Sequence, residues 1–238
     1  MIDAINVSLS SQLALERRLA TIADNVANAN TTGFQATGVR FDEQLDRSGT
    51  AFVSRGTSFS SQEQGALEAT GGTLDVAVKG DGWFGIETAQ GRAVTRDGRF
   101  SLSPEGTLQS VRGEPVLDAG GAPIQLDVAG GAPQIGEDGS IRQGGRLVGA
   151  IGVFSHDPGP NPSRVGSSAY LVSGGLEPIV DERGAGVVQG YLERSNVDAV
   201  EQMTKLIGVH RHFDNVAAAI RDSEGATEQM IRTLGGQS

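Results

Sequence analysis

The sequence predicts an α+β fold in which long N- and C-terminal α-helices pair as a coiled coil, with a central antiparallel β-rich domain between them. Three observations carry this reading. The chain holds 35 glycines in 238 residues, yet the first thirty residues contain neither glycine nor proline. The last forty residues keep an apolar seam at heptad spacing. Between these ends, short β-type runs alternate with glycine-containing turns. High glycine with 5% aromatic residues argues against an all-helical bundle, and the lack of a Gly-X-Y period excludes collagen.

At the N-terminus, Ile2, Ile5, Leu9, Leu13, Leu15, Leu19, Ile22 and Val26 form a broad stripe at helical spacing. This predicts about seven or eight helical turns, stopped by the Asn- and Gly-bearing run from Ala27 to Gly33. Residues 1–33 are thus expected to be one helical segment, and residues 34–72 an extended connector bearing Phe34, Phe41, Phe52 and Phe59. Residues 73–156 read as the β domain, with strand-like runs at Leu74–Val78, Trp83–Glu87, Ala93–Thr95, Ile124–Val128 and Leu147–Phe154. Turn signals at Asp97-Gly98, Glu105-Gly106, Ala119-Gly120-Gly121-Ala122 and Asp138-Gly139 separate them, which implies an antiparallel sheet or small barrel. Residues 157–189, rich in Pro, Gly and Ser, read as a second connector.

The C-terminal segment, 190–238, opens with Ser195-Asn196-Val197-Asp198, which has the form of a capping box closed by Asp instead of Glu. Ala199, Met203, Leu206, His210, Phe213, Ala217, Ile220, Glu224, Thr227, Ile231 and Leu234 then step by alternating fours and threes. That is the seam of a helix lying along another helix. Gly208 and Gly225 interrupt it, at about 1 kcal/mol each relative to alanine. Charge divides in the same way. The net charge is −10, and most of it lies on the middle of the chain, leaving the amphipathic ends nearly neutral and suited to be contact surfaces.

Several functions are excluded. An acidic chain without a basic run does not suit nucleic acid or anionic lipid. No apolar stretch approaches the length of a membrane span, and no basic n-region with an apolar run marks a conventional signal peptide. The absence of cysteine removes disulfides, thiolate nucleophiles and Cys-ligated metals. Gly80-Asp81-Gly82-Trp83-Phe84-Gly85 matches a dinucleotide fingerprint by letter, but a β-type run follows where a helix is required. The expectation is a hairpin turn leading into a buried aromatic strand. His210 and His212 are two apart on a helix, so they diverge, and His156 stands alone. The reading is therefore non-enzymatic, without metal or cofactor.

The segment from Ile22 to Phe34 (Ile-Ala-Asp-Asn-Val-Ala-Asn-Ala-Asn-Thr-Thr-Gly-Phe) resembles the N-terminal signature of bacterial flagellar rod and hook proteins. Gly190-Tyr191-Leu192-Glu193-Arg194-Ser195-Asn196-Val197-Asp198, continuing through Met203, Leu206, Ile207 and Arg211 to Phe213, resembles the C-terminal block of the same family. Leu74 to Phe84 with Thr95-Arg96-Asp97-Gly98-Arg99-Phe100 looks like the start of its β domain. The resemblance spans the chain in order, and the short, compact middle favours a proximal-rod member over a distal-rod one. It implies export through the flagellar type III apparatus. It also implies helical assembly with copies of itself and other rod proteins around the export channel in the periplasm, and a part in transmitting torque. On this reading the assembly interface comprises Leu9, Leu13, Leu19, Ile22, Val26, Met203, Leu206, Phe213, Ile220, Ile231 and Leu234 from the stripes. The motifs add Asn25, Asn28, Asn30, Thr32, Gly33, Phe34, Ser195, Asn196, Val197 and Ile207. A secreted β-rich adhesin or glycan-binding module is the alternative from another class, and it would need exposed aromatics around Trp83.

Overall fold

The computed structural model describes residues 2–45, 51–54, 56–179 and 185–235. The chain divides into two compact units, one comprising Met1–Ala27, Thr37–Phe59 and Asp198–Ser238, the other Asn28–Ala36 and Ser60–Val197.

The first unit is built on two helices, α1 (Ile2–Ala27) and α2 (Ala199–Gly235). Strand Thr37–Arg40 pairs with Thr57–Ser60, and Glu43–Leu45 pairs antiparallel with Ala51–Val53. The start of α2 is fixed by Asp198, whose Oδ1 accepts from the amides of Val200 (2.9 Å) and Glu201 (3.0 Å). The N-cap is therefore Asp198 itself. Ser195, expected to open a capping box, instead accepts a bond from the Val197 amide at 3.3 Å. Asp and Ser both suit this role, and the one adjoining the first helical turn satisfies its orphan donors.

The expected coiled coil is not what the structure shows. The helices meet at Asn25 and Gln202, both buried, where Asn25 Nδ2 donates to Gln202 Oε1 at 3.5 Å. A coiled coil closes by inserting apolar a and d side chains into holes of the partner. Here the seam residue Met203 is 51% exposed, as are Leu9, Leu13 and Ile207 to a similar degree. That hydrogen bond is polar, and along the described side chains the seam is interrupted by Gly208 and His210. The fold is α+β, with two terminal helices and an antiparallel β-rich body, and no closed heptad seam is seen among the described residues.

That body is the second unit. Its largest sheet has six strands in the spatial order Arg164–Val165, Ala169–Leu171, Gly91–Thr95, Trp83–Thr88, Val153–Ser155 and Glu177–Pro178. Every neighbouring pair is antiparallel. The central strand Trp83–Thr88 is buried on both faces, so Phe84 and Ile86 enter the main core with Val76, Leu108, Ile141 and Val187, while Trp83 packs with Val94 and Tyr170. Smaller ladders join Val76–Lys79 to Gly186–Gln189, Leu67–Ala69 to Tyr191–Glu193, and Phe100–Leu102 to Leu108–Ser110. The segment after His156 supplies strands at Arg164–Val165, Ala169–Leu171 and Glu177–Pro178.

The turn predictions divide. Glu105-Gly106 and Asp138-Gly139 sit in true hairpins. Asp97-Gly98 and the glycines at 80–82 do not, because the strands they join pair elsewhere. A Cβ on Gly98 would stand 1.6 Å from the Val76 carbonyl oxygen, so this turn is pressed against another strand. The run Leu147–Phe154 breaks at Gly152, where a Cβ would come within 2.6 Å of the Asp118 backbone. Its first half pairs with Ser140–Gln143 and its second half joins the six-stranded sheet. Ile124–Val128 forms no strand, although Ile124 and Leu126 donate their amides to Val116 and Gly106.

Candidate assembly interface

Within the helical unit the predicted interface residues separate by burial. Ile22 and Asn25 are buried, and Leu19, Val26, Leu206 and Phe213 are half-buried. Leu9, Leu13, Met203 and Ile207 are exposed, joined by Val200, which the sequence reading passed over. The side chains of Ile220, Ile231 and Leu234 lie outside the described residues. Asn25 is held at both ends of its amide: Nδ2 donates to the Thr37 carbonyl (2.8 Å) and Oδ1 accepts from the Thr37 amide (2.9 Å). This pins the last turn of α1 to the strand that follows. Beside Leu13, an open groove of about 480 Å³ runs between α1 and the segment around Val53 and Ser54, lined also by Ser10, Ala14, Arg17 and Ala20. Single exposed apolar residues are ordinary. Several on helices of one unit provide area that an intermolecular contact can bury.

The motif residues of the second unit mostly turn inward. Gly33, Phe34 and Gln35 are buried, with Phe34 fully so. Gly33 has φ +66°, and a Cβ there would lie 2.3 Å from the Asp97 nitrogen, so only glycine fits. The Gly33 amide donates to the Glu193 carbonyl at 2.8 Å. Asn196 Oδ1 accepts from the Ala36 amide (2.7 Å), while its Nδ2 donates to Gln35 Oε1 and to the Glu63 carbonyl, both at 2.7 Å. Arg164 lies over the Phe34 ring at 4.4 Å and donates to the Gln35 carbonyl and to the Tyr170 hydroxyl. The N-terminal motif and the C-terminal motif therefore meet. Asn28 and Thr32 are half-buried, as are Ser195 and Val197, and Asn30 is exposed.

Sequence reasoning missed the residues that hold this meeting point together. Glu193 is wholly buried, with its carboxylate paired to Arg96 Nη1 at 3.1 Å. It also accepts from Gln35 Nε2 (2.9 Å) and the Gly65 amide (3.1 Å). The available signal was a lone Glu among Leu192 and Tyr191 on a β-type run, together with Arg96 inside a motif already noticed.

Trp83, on which a glycan-binding reading depended, is 4% exposed. It makes edge contacts with Tyr170 (5.5 Å) and His156 (6.0 Å) and lies under the Arg96 guanidinium at 5.0 Å. It is a core residue of the sheet. His156 beside it has a buried Nε2 without a hydrogen-bond partner, and burial pushes its pKa below the ordinary histidine value, opposed by Asp157. Among the described residues, no group of three or more His, Cys, Asp or Glu is arranged to hold a metal ion. No described helix is long and apolar enough to cross a membrane.

The chain is 49% identical over 241 residues to the flagellar basal-body rod protein FlgF of Mesorhizobium japonicum, covering 100% of both chains. The FlgF of Rhizobium meliloti is 48% identical, with 99% of each chain covered. This chain belongs to the flagellar basal-body rod protein family. Family profiles match at both ends and in the middle: "Flagella basal body rod protein" at residues 5–35, "Flagellar hook protein FlgE/F/G D1 domain" at 77–143, and "Flagellar basal body rod FlgEFG protein C-terminal" at 188–233. A rod protein named FlgG, from Agrobacterium fabrum, is 31% identical over 262 residues, with 97% of this chain and 99% of that one covered. This chain is thus more similar to those two FlgF proteins than to that FlgG. Members of this family are structural proteins, not enzymes.

Proposed function

We propose that this chain is a structural subunit of the proximal rod of the flagellar basal body, joined to copies of itself and to other rod proteins through its terminal helices. The observation that carries the assembly reading is the exposed apolar set Leu9, Leu13, Val200, Met203 and Ile207, all within the helical unit. Covering such side chains yields roughly 25 cal/mol per Å² of apolar area removed from water. A repeated head-to-tail contact whose rotation does not close generates a helical filament, the form a rod requires. The β body folds around its own core and does not depend on that contact. On this reading the subunit is exported by the flagellar type III apparatus, surrounds the channel in the periplasm, and shares the motor's torque across many side-by-side contacts.

The test is a charge placed on the exposed set. Leu13→Asp and Ile207→Asp change surface positions, so the isolated protein should keep its thermal midpoint, with stability altered by no more than about 0.5 kcal/mol. Cells carrying either change should lose rod assembly and motility. Full motility in both strains would defeat the assembly reading.

A further inference from the structure

The fully buried Glu193 does more than neutralise Arg96. Its carboxylate and its carbonyl together grip four points of the β-rich unit: the Gly33 amide, the Gln35 side chain, the Gly65 amide and the Arg96 guanidinium. Gln35 lies 158 residues away in sequence and Gly65 lies 128 away. From the same side, Asn196 holds the Ala36 amide, Gln35 Oε1 and the Glu63 carbonyl. The segments 33–36, 63–65 and 193–196 each adjoin the places where the chain passes into the helical unit, at 36–37, 59–60 and 197–198. A buried carboxylate without partners is too costly to keep, and one with several donors holds each of them in place. Arg96 comes from the loop after the Gly91–Thr95 strand, so the whole assembly is anchored to the main sheet.

We infer that Glu193 is the keystone of a clasp that makes seating of the strap Gly33–Ala36 on the β body conditional on the last strand being in place. This strap finds few of its polar partners within its own part of the chain. Gly33, Gln35 and Ala36 bond to residues 193 and 196, and the Gln35 carbonyl to Arg164. With Glu193 out of place, the strap loses its central acceptor and Arg96 is left as an unpaired buried cation. A subunit whose last strand has not docked then leaves the strap Gly33–Ala36 unseated.

Amide hydrogen exchange on the full-length protein tests this. Two variants are compared with the parent: Glu193→Gln, which removes the charge but keeps an acceptor, and Gln35→Ala, which removes the strap's side chain while leaving the Arg96–Glu193 pair intact. Protection at the Gly33, Ala36 and Gly65 amides should fall about tenfold or more in both variants. The Leu108, Leu117 and Ile151 amides, bonded within the body to Ile124, Gly85 and Gly139, should change by less than about twofold. Unchanged strap protection in either variant overturns the clasp. So does an equal loss at strap and body amides in both, because Glu193 would then be an ordinary core contributor. Should Glu193→Gln fail to fold, Gln35→Ala still tests the clasp: unchanged strap protection, or an equal loss at strap and body amides, overturns it.

Discussion

Gly33→Ala offers a sharp test of how closely the N-terminal strap is applied to the β body. Two costs arise from the geometry. At φ +66°, an alanine adopts the left-handed region, at about 1–2 kcal/mol. Its Cβ would also lie 2.3 Å from the Asp97 nitrogen, 2.4 Å from the Arg96 carbonyl carbon and 2.7 Å from the Asp97 Cα. These are backbone atoms, which cannot swing aside as a side-chain end can, so relief requires the strap or the loop to shift. Forced overpacking of this kind costs about 1–3 kcal/mol, bringing the total to about 2–5 kcal/mol. Gly71→Ala is the matched control. Its φ of +71° is nearly the same, but nothing lies within 4 Å of the added Cβ, so only the about 1–2 kcal/mol conformational cost applies. The assay is urea unfolding followed by fluorescence of Trp83, the chain's single tryptophan, which is buried in the sheet core. Subtracting the control isolates the close approach. If Gly33→Ala costs no more than Gly71→Ala, the strap is not pressed against residues 96 and 97 and the reasoning fails.

Two further outcomes follow from local geometry. His156 has a folded-state pKa below its unfolded value of about 6.5, so the unfolded chain takes up the proton first. The stability it contributes is complete above that value and is lost as pH falls from there through the depressed folded value. Urea midpoints at pH 7.5 and 5.0 should therefore diverge more in the parent than in His156→Gln, and an identical pH response in the two would refute the assignment. Asp198→Ala removes the acceptor of two amides at the start of α2 and should cost about 1 kcal/mol. Faster amide exchange at Val200 and Glu201, with the β body unaffected, is the expected signature.

The helices and the buried aromatic strand were legible in the sequence because each rests on local information. The glycine-free first thirty residues became α1, and the apolar Trp83 strand became the sheet's centre. What failed was pairing. Heptad spacing records which residues share a helix face, but it cannot record that Asn25 and Gln202 would form the buried contact or that Met203 would remain outside. Turn chemistry marked Asp97-Gly98 and Gly80-Asp81-Gly82 as reversals, and the strands on either side then found more distant partners. The Leu147–Phe154 run read as one strand because nothing in it shows that Asp118 must pass beside Gly152.

The site was legible as motifs but not as mechanics. Motif residues and stripe residues entered the predicted interface together, and the structure gives them different surroundings. Gly33, Phe34 and Asn196 face inward and meet across more than 150 residues of chain, whereas Leu9, Leu13, Met203 and Ile207 face solvent. An inward residue acts through the stability and shape of the single subunit, and an outward apolar residue acts through what it can cover on another. Substitution separates the two by where the loss shows. Phe34→Ala, fully buried beneath Arg164, should destabilise the isolated protein by the about 3–5 kcal/mol typical of a lost core aromatic and lower its unfolding midpoint accordingly. Leu13→Asp should leave that midpoint nearly unchanged and still abolish assembly. If both changes act alike on the isolated subunit, the division between clasp and contact surface is wrong. If they separate, the inward-facing motif residues serve to build the subunit, and the exposed apolar residues of the helices serve to join it to the next.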